Sequence, residues 1–350
     1  MISVIGLGNI GSLIATKLSE GNEVVALDSE KKKLEGLRNV KGIAGSIMES
    51  ADIIKKSDLV VVALPGQISN FHVKKLLEWG LNVVDVSYSP ENPYDLDKLA
   101  RSNGSLYVPD CGFAPGMSNI LAYNLYSKYG VQDIEIIVGG LPEEAKEPFL
   151  HSVTWSVEGL IDEYTRKAKI LSNYKIMAMD PLDEIGSLIL PGFGEFEYFI
   201  SDGLRTLLST LKIRNLSERT IRIKGHLGKM KVLRDLGYFS DDEINGTTAR
   251  KLSEHMFSRF RTPGRDLCIL IVRSADGSKS SMLTARGNRD HTAMSLLTGL
   301  PGVAVSKLII DGRIEGIGTF PPELISENSE NIRYIIRELT ESGIEFKSST

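Results

Sequence analysis

A glycine-rich segment near the N-terminus constrains the fold of this chain more than any other feature. It follows the apolar run 2–6 directly and opens a segment with helical spacing of apolar residues. The first glycine permits a tight turn, the second lets a pyrophosphate approach the backbone, and the third lets helix and strand pack closely. The start of the helix adds free N–H groups for phosphates. The segment therefore predicts a dinucleotide-binding turn, with cofactor contacts from Gly6, Gly8, Asn9, Ile10 and Gly11.

An aspartate in the next apolar run indicates which dinucleotide binds. Asp28 ends this run about twenty residues after the glycines, where a carboxylate accepts hydrogen bonds from the adenosine ribose hydroxyls. The same charge repels a 2′-phosphate, so the sequence predicts NAD rather than NADP. Lys31, Lys32 and Lys33 follow, and we interpret them as a solvated helix face rather than as a phosphate site.

The first hundred residues alternate short apolar runs with amphipathic segments, which is typical of repeated βα units around a parallel sheet. Buried strands are predicted at 2–6, 23–27, 59–64, 82–86 and 106–108. Helices are predicted at 10–19, 30–37, 68–79 and 96–101. The pattern indicates an α/β protein with an N-terminal doubly wound Rossmann domain.

Beyond Pro115 the pattern changes to a helix followed by longer strands with polar alternation. The helix is predicted at 117–129 and the strands at 134–138, 149–155, 193–201 and 218–224. A hairpin with an Asp-Gly turn is predicted from 267–273 and 279–285, and helices at 291–310 and 331–342. We expect a second α+β domain on a mixed or antiparallel sheet. The predicted division is 1–118 for the NAD-binding domain, 119–290 for a substrate and dimerisation domain, and 291–350 for helices that pack back on the Rossmann domain.

Composition excludes several other classes of protein. The 350 residues carry 41 basic and 45 acidic side chains, a net charge of -4, so no overall positive field would gather nucleic acid or anionic lipid. Cys111 and Cys268 are too few for a disulfide framework and lack zinc spacing. The N-terminus is typical of a strand rather than a signal peptide, and no apolar run approaches the roughly 18 residues of a membrane helix. We expect a cytoplasmic protein without nucleic-acid or membrane partners.

Three loops should meet at the carboxyl ends of the parallel strands, where doubly wound sheets bind their ligands. They span 63–66, 85–93 and 109–116, and ordinary turn chemistry alone would explain their Pro and Gly residues. Their clustered ionisable and hydroxyl groups favour a site that faces the nicotinamide. The cofactor contacts predicted in these loops are Leu64, Pro65, Ser87, Cys111, Gly112 and Phe113.

Eight short motifs in order along the chain resemble one family. They are VIGLGNIG, ALPG, VDVSYSPENP, DCGFAPGMSNIL, VGGLP, TWS followed by DEYT, FISDGLRT and TIRIKGH. The chain resembles the saccharopine dehydrogenase-like proteins, and within them the L-lysine 6-dehydrogenase branch. The resemblance implies a Rossmann domain, a substrate domain on a mixed sheet and an active site between them. It also implies NAD-dependent oxidation of the lysine ε-amine to the 6-semialdehyde, which cyclises to piperideine-6-carboxylate, with release of ammonia.

The chain departs from the saccharopine reductases of that family at three places. Those enzymes have an aspartate at the position of Ala114 and a glutamate at the position of Asp110, and their Asn-Arg-Asp segment is replaced here by Ser201-Asp202-Gly203. The loss of acidic and basic groups favours a smaller amino acid or diamine as substrate.

Oxidation of a primary amine needs a hydride acceptor, a base and an attacking water. A lysine ε-ammonium has a pKa of about 10.4, so a carboxylate would first pair with it. Asp110 is the candidate, and capping of the turn into Gly112 is its structural alternative. His226 is the candidate general base, because imidazole titrates near neutrality, and the alternative is a histidine that packs at a helix N-terminus. We interpret Asp85, within an apolar run, as structural.

The substrate carboxylate calls for a bidentate cation, and Arg205 and Arg222 are the candidates, with an inter-strand ion pair as the alternative role. Tyr88 and Trp155 are candidates to contact the lysine methylenes. No histidine pair has metal-binding spacing, so no metal is expected. The remaining histidines are predicted to be surface or hydrogen-bonded structural residues: His72, His151, His255 and His291.

Three functions remain open at this point. The first is an NAD-dependent amine dehydrogenase. The second is a reductive condensing dehydrogenase of the saccharopine reductase or carboxynorspermidine type, and the third is a non-catalytic module that senses NAD. The family resemblance also implies a homodimer or larger homo-oligomer.

Overall fold

Eighteen strands and eleven α-helices are present in the residues that the computed structural model describes, which are 1–154, 156–260 and 265–349. The strands are β1 (Ile2–Ile5), β2 (Val24–Asp28), β3 (Val40–Ala44), β4 (Leu59–Val62), β5 (Val83–Asp85), β6 (Leu106–Val108), β7 (Asp133–Pro142), β8 (Ala168–Ser172), β9 (Lys175–Met179), β10 (Gly186–Leu190), β11 (Gly194–Ile200), β12 (Asn215–Ile223), β13 (Glu243–Ile244), β14 (Thr247–Thr248), β15 (Asp266–Ser274), β16 (Ser280–Arg286), β17 (Gly318–Thr319) and β18 (Glu345–Ser349). The helices are α1 (Asn9–Leu18), α2 (Ala51–Ile54), α3 (Gly66–Glu78), α4 (Asp97–Ser102), α5 (Met117–Tyr129), α6 (Val157–Thr165), α7 (Leu207–Thr210), α8 (His226–Asp235), α9 (Ala249–Phe257), α10 (Ala293–Ile310) and α11 (Ser329–Glu341).

The chain divides into two compact units, each built from two segments. The first unit comprises Met1–Asn124 and Ser295–Ile344, and the second comprises Leu125–Met294 and Glu345–Thr350. This division differs from the one predicted from the sequence at the C-terminal end, because β18 pairs with β16 in the sheet of the second unit.

The first unit contains a parallel sheet with the strand order β17-β6-β5-β4-β1-β2-β3. Strands β1, β2 and β4 to β6 are fully buried, since apolar residues cover both faces of a parallel sheet. The order reverses at β1, with β4 on one side and β2 on the other. The predicted α/β fold with an N-terminal doubly wound Rossmann domain is confirmed.

The second unit contains a mixed sheet with the order β10-β11-β12-β7-β15-β16-β18. Strand β7 runs parallel to β12 and antiparallel to β15. One core cluster includes Tyr164 of α6, Phe199 of β11 and Leu227 of α8, whereas a separate cluster includes Phe196 and Ile221. Because residues 196 and 199 of one strand point to opposite faces, the two clusters cover the two faces of the sheet. The predicted second domain on a mixed sheet is confirmed.

Two local predictions are wrong, and one strand was not predicted. The helix predicted at 30–37 is a single 3₁₀ turn, Lys31–Leu34. Strand β3 has no buried residue, so it lacks the apolar run that marks the other strands. Residues 149–154 of the strand predicted at 149–155 are irregular, and the positive φ of Leu150 (+56°) interrupts extended backbone there.

Helix α10 contradicts the prediction that no apolar run approaches the length of a membrane helix. Its 18 residues have a mean hydropathy of 1.6, so by length and composition it could cross a membrane. However, 78% of this segment is buried within the protein, as in a core helix of a globular fold.

Candidate active site

The candidate cofactor residues lie at one edge of the parallel sheet. The glycine-rich turn follows β1, Asp28 ends β2, and the loops that carry the other candidates follow β4, β5 and β6. Because these five strands are neighbours and parallel, their carboxyl ends share this edge. The fold thus brings together the candidates that the sequence placed in the first unit.

The glycine-rich turn leaves an open, uncapped start to α1. Gly8 and Asn9 are exposed, Ile10 is half-buried, and no side chain in the described part of the chain caps the helix. A Cβ at position 8 would meet no heavy atom within 4 Å, whereas one at Gly11 would lie 1.8 Å from the Gly6 carbonyl oxygen. Open space above free helix N–H groups fits a pyrophosphate, and Gly11 is required where helix and strand touch.

Asp28 is held in place by the backbone around it. Its Oδ2 accepts a hydrogen bond from the Leu7 N–H (2.7 Å), and its Oδ1 accepts one from the Glu30 N–H (2.9 Å). The Lys33 Nζ lies 3.6 Å from Asp28 Oδ1 and 2.7 Å from a Glu30 carboxylate oxygen. The pKa of Lys33 is raised, and its hydrogen bond to Glu30 is the main cause. The carboxylate of Asp28 retains lone pairs that can accept from ribose hydroxyls.

The loops after β4 and β5 are tied to each other. The Leu64 N–H donates to Ser87 Oγ (3.1 Å), and the carboxyl group of Asp85 accepts from the Ser87 N–H (2.8 Å) and the Ser69 hydroxyl (2.8 Å). Pro65 is exposed before α3, and Tyr88 is half-buried. Asp85 therefore has a structural role, because its carboxyl group joins α3 to the loop after β5.

Asp85 and Asp110 lie at the ends of two neighbouring strands. Both residues are buried, with exposed fractions of 1% and 3%. Burial raises the pKa of Asp85 to about 6; the hydrogen bonds from Ser87 and Ser69 oppose this, and the charge of Asp110 adds to it. Burial, together with the charges of Asp110 and Asp85, also raises the pKa of the Cys111 thiol, so this thiol stays protonated at neutral pH. Two adjacent acids suit a cationic ligand such as an ammonium.

The loop after β6 is tight and enclosed. Cys111, Gly112 and Phe113 are buried, and Gly112 forms a backbone bridge with Gly116. Asp110 itself has a left-handed backbone (φ +51°), the conformation of a turn residue. This geometry is compatible with both roles left open for Asp110.

In the second unit, a chain of hydrogen bonds links two of the predicted site residues. Arg222 Nε donates to the Tyr164 hydroxyl oxygen (3.2 Å), which lies 2.9 Å from His226 Nε2, and His226 Nδ1 lies 2.6 Å from the Phe149 carbonyl oxygen. A carbonyl only accepts, so Nδ1 carries the proton and Nε2 accepts from Tyr164. Arg222 and His226 are thus joined through Tyr164.

His226 has no exposed surface and both its ring nitrogens are engaged. Burial lowers the pKa of His226 to about 3, and the positive charges of Arg222 and Lys229 contribute, against the hydrogen bond to Phe149. The imidazole is neutral at physiological pH. The structure therefore favours the packing alternative over the general-base role.

Arg222 is 2% exposed and paired with a carboxylate of its own unit. Its Nη2 donates to Glu163 Oε2, its Nη1 donates to the Ile221 carbonyl oxygen (3.0 Å), and the guanidinium lies 5.6 Å from the centroid of the Phe199 ring. Burial raises the pKa of Glu163, and the charge of Arg222 opposes that effect. The ion-pair alternative for Arg222 is favoured, although its partner Glu163 lies on helix α6 and not on a neighbouring strand.

Glu218, Thr220 and Arg222 alternate along β12 and so share one face of the strand. Thr220 Oγ1 donates to Ser201 Oγ (2.8 Å), which donates to Glu218 Oε1 (2.8 Å). Burial raises the pKa of Glu218 to about 8. A Cβ at Gly203 would lie 2.1 Å from Glu218 Oε1, which explains why a residue without a side chain stands there.

The remaining candidates have mixed outcomes. Arg205 lies half-buried in the turn between β11 and α7 with a left-handed backbone (φ +50°), and Trp155 lies outside the described residues. The prediction for His151 is wrong: the residue is buried (8% exposed), and neither ring nitrogen has a hydrogen-bond partner among the described residues. Glu163 and Tyr164 were missed as partners of Arg222, although both lie in the DEYT motif.

Among the described residues, no group of three or more His, Cys, Asp or Glu side chains is placed to hold a metal ion.

Comparisons with known proteins match both units. The profile described as the saccharopine dehydrogenase C-terminal domain matches residues 112–344, and one described as NADP oxidoreductase coenzyme F420-dependent matches residues 1–88. Saccharopine dehydrogenase (NADP(+), L-glutamate-forming) of Pyricularia oryzae is 24% identical over 233 residues, which cover 62% of this chain and 52% of that protein. The mitochondrial alpha-aminoadipic semialdehyde synthase of Rattus norvegicus is 19% identical over 416 residues, which cover 92% of this chain and 45% of that protein.

The fold also matches a solved structure along its whole length. The apo saccharopine dehydrogenase (L-Glu forming) of Saccharomyces cerevisiae superposes with a TM-score of 0.81 at 17% identity, covering 100% of this chain and 99% of that one. The chain spans about half the length of the curated relatives it matches.

The fold combines a Rossmann unit with a second unit on a mixed sheet. The profile match over 112–344 covers more than half of the chain. The chain belongs to the saccharopine dehydrogenase-like family.

Proposed function

We propose that this protein is an NAD-dependent dehydrogenase that oxidises the ε-amine of L-lysine, or of a close amino-acid or diamine analogue. The product is the 6-semialdehyde, which cyclises to piperideine-6-carboxylate, with release of ammonia. The observation that carries the proposal is the presence, at one sheet edge, of an open glycine turn and two buried carboxyl groups, Asp85 and Asp110.

NAD is proposed because Asp28 ends β2 with an enclosed carboxylate. A 2′-phosphate beside this group would meet its negative charge, and the nearby Lys33 is already paired with Glu30 at 2.7 Å. Gly6, Gly8, Asn9, Ile10 and Gly11 would hold the pyrophosphate, and Leu64, Pro65, Ser87, Cys111, Gly112 and Phe113 would line the nicotinamide end. When bound, the cofactor supplies the hydride acceptor.

Asp110 is proposed to hold the substrate ammonium. Its buried carboxyl group lies next to Asp85, and the negative potential of the pair stabilises a cation there and the positively charged iminium that follows. The protonated thiol of Cys111 does not compete for this role, since a thiol near neutrality carries no charge. The general base is not assigned to His226.

A saccharopine-type reaction is the second candidate, and the names of the relatives favour it. The Pyricularia oryzae protein is named an NADP-dependent, L-glutamate-forming saccharopine dehydrogenase. Two features argue against this reaction. The enclosed carboxyl group of Asp28 disfavours NADP. Glu218 lies so close to Gly203 that a side chain at position 203, where the saccharopine reductases have one, would not fit.

The test compares L-lysine, cadaverine and L-saccharopine with NAD and with NADP, by the absorbance of the reduced cofactor. Oxidation of lysine with NAD, at a higher kcat/KM than saccharopine with either cofactor, supports the proposal. Turnover confined to saccharopine with NADP establishes the second candidate instead. Cofactor binding without turnover of any of these substrates would indicate a nucleotide-sensing module.

Two variants separate the cofactor from the substrate role. Asp28→Asn should lower the preference for NAD over NADP about tenfold, because a hydrogen bond to a charged group is worth about 1.5–3 kcal/mol. Its matched control is Glu35→Gln, an exposed acid seven residues away, which should leave the preference unchanged. Asp110→Asn should lower kcat/KM for the amine without changing the Kd for NAD.

A further inference from the structure

One edge of the sheet in the second unit is formed by a strand that projects into solvent. Strand β8 bridges to β12 at Leu216, where β7 occupies the other side of β12, so the hairpin of β8 and β9 lies on the side of β11. Among the described residues, β9 pairs only with β8. Four of the five residues of β9 are exposed, on both faces of the strand. Strand β9 is therefore an outer edge strand.

The turn of this hairpin determines which backbone groups of β9 point outward. Both turn residues, Asn173 and Tyr174, have a left-handed backbone (φ +50° and +65°), as in a two-residue type I′ turn. Such a turn closes on a hydrogen-bonded pair, here Ser172 and Lys175, and alternate residues of β9 then point their N–H and C=O groups away from β8. These outward-facing residues are Ile176 and Ala178. The outer edge thus presents two N–H and two C=O groups.

The side chains along this edge are apolar and exposed. Tyr174, Ile176 and Met177 have exposed fractions of 64%, 57% and 50%. Natural proteins commonly protect an edge strand with central charges, a proline or a bulge. The four residues after Lys175 are uncharged and include no proline, and the register of β9 with β8 is unbroken. An edge of this kind is typical of a strand that pairs with another chain.

The charges at the two ends of β9 favour a second copy of this chain as the partner. Lys175 is the first residue of the strand, and Asp180 follows its last residue. The Asp180 side chain is 46% exposed, and the Lys167 Nζ lies 4.0 Å from its carboxylate. An antiparallel copy would place each Lys175 next to the Asp180 end of the other strand, whereas a parallel copy would bring like charges together. The edge is thus complementary to itself in the antiparallel direction.

We propose that β9 pairs with β9 of a second copy of this chain, antiparallel and about a two-fold axis at Met177. In this register Ile176 lies opposite Ala178 of the second copy, so each outward N–H group of the two strands meets an outward C=O group. The product is a symmetric dimer in which the two mixed sheets are continuous. The inference does not depend on the proposed function.

Hydrogen bonds already present at the ends of β9 select this register. A two-fold axis one residue earlier would need the Tyr174 N–H, which already donates to the Arg214 carbonyl oxygen (2.9 Å). An axis one residue later would need the Asp180 C=O, which already accepts from the Asp183 N–H (3.3 Å). Only the axis at Met177 uses the outward groups of β9 alone.

The test is analytical ultracentrifugation of the purified full chain. The exposed side chains of one strand offer a few hundred Å², less than the roughly 800 Å² per partner of a standard interface, so the dimer should be reversible, with a Kd on the order of micromolar. Met177→Lys sets like charges opposite each other at the axis and should raise this Kd about fivefold or more. Met256→Lys on α9 is the matched control, because Met256 is 51% exposed, and it should dimerise as the wild type does.

A second variant removes hydrogen bonds rather than adding charge. Ala178→Pro deletes an N–H that points away from β8, so the hairpin keeps its pairing and the dimer loses two hydrogen bonds. Its Kd should rise about tenfold or more. Hydrogen exchange tests the register without any substitution: the amides of Ile176 and Ala178 should exchange more slowly as the protein concentration rises, whereas that of Met177, bonded to β8, should not change.

Two outcomes overturn the inference. If the wild type stays monomeric up to about 100 μM, the edge does not bind a second copy, and a different protein is its partner. If the wild type dimerises but Met177→Lys and Ala178→Pro leave the Kd unchanged, the dimer uses another surface. A rise in Kd in both variants, with Met256→Lys unaffected, supports pairing through β9.

Discussion

The buried glutamate of β12 should make the protein less stable at alkaline pH, and Glu218→Gln should remove this effect. Burial holds the pKa of Glu218 at about 8, against an ordinary value of 4.5. Between these two values the folded state binds a proton that the unfolded state has released. Stability is therefore lost as pH rises through this interval, and the loss is complete above the folded pKa.

The size of the effect follows from the interval. Each pH unit between the unfolded and folded pKa values of Glu218 costs about 1.4 kcal/mol of stability, so the total loss is at most roughly 5 kcal/mol. The amide of glutamine keeps an acceptor for the Ser201 hydroxyl, which donates to Glu218 Oε1 at 2.8 Å, and it cannot ionise. The difference in stability between Glu218→Gln and the wild type should thus increase from about pH 5 to about pH 9 by a few kcal/mol.

The assay is differential scanning calorimetry of the full chain at several pH values. Glu345→Gln is the matched control, because this glutamate is 69% exposed on β18. The control should show the same pH profile as the wild type. If Glu218→Gln and the wild type also keep a constant difference from about pH 5 to about pH 9, Glu218 titrates normally and the account of the buried polar face of β12 is wrong.

Three further outcomes are expected. Gly11→Ala should cost several kcal/mol or prevent folding of the first unit, since its Cβ would lie 1.8 Å from a carbonyl oxygen, whereas Gly8→Ala should leave the melting temperature nearly unchanged; equal effects would contradict the assigned geometry. Tyr164→Phe should cost about 1–3 kcal/mol, because Arg222 and His226 each lose a buried partner, and denaturant unfolding measures this loss. The wild type should lose stability as pH falls from 6.5 toward 3, because the unfolded state then binds a proton that buried His226 excludes; the melting temperature should fall less in His226→Gln, and an equal fall would refute this.

Local patterns predicted much of the fold. Helix α5 (Met117–Tyr129) begins and ends where the apolar spacing does, and the hairpin of β15 and β16 lies around its Asp-Gly turn. Strand β3 escaped prediction because its side chains are not buried, so nothing in its composition marks it as a strand. The segment 149–154 has strand-like residues, yet the backbone at Leu150 is left-handed.

The chemistry of the site was less predictable than its location. The glycine turn and Asp28 follow from a local motif, whereas the partners of Arg222 come from α6, more than fifty residues earlier in the chain. His226 was a reasonable base by residue type, since imidazole titrates near neutrality. Only its enclosure, and the Tyr164 and Phe149 bonds, show that it stays neutral. For His151, no local signal distinguishes a satisfied histidine from an unpaired one.

The interleaved course of the chain has a consequence for its synthesis. Strand β17 pairs with β6 in the first sheet and β18 pairs with β16 in the second, so neither sheet has its full set of strands until residues 318–349 have left the ribosome. Until then, β6 and β16 each present backbone groups that another chain can pair with. A deletion of the last few dozen residues would therefore disturb two sheets at once, although β18 itself is mostly exposed.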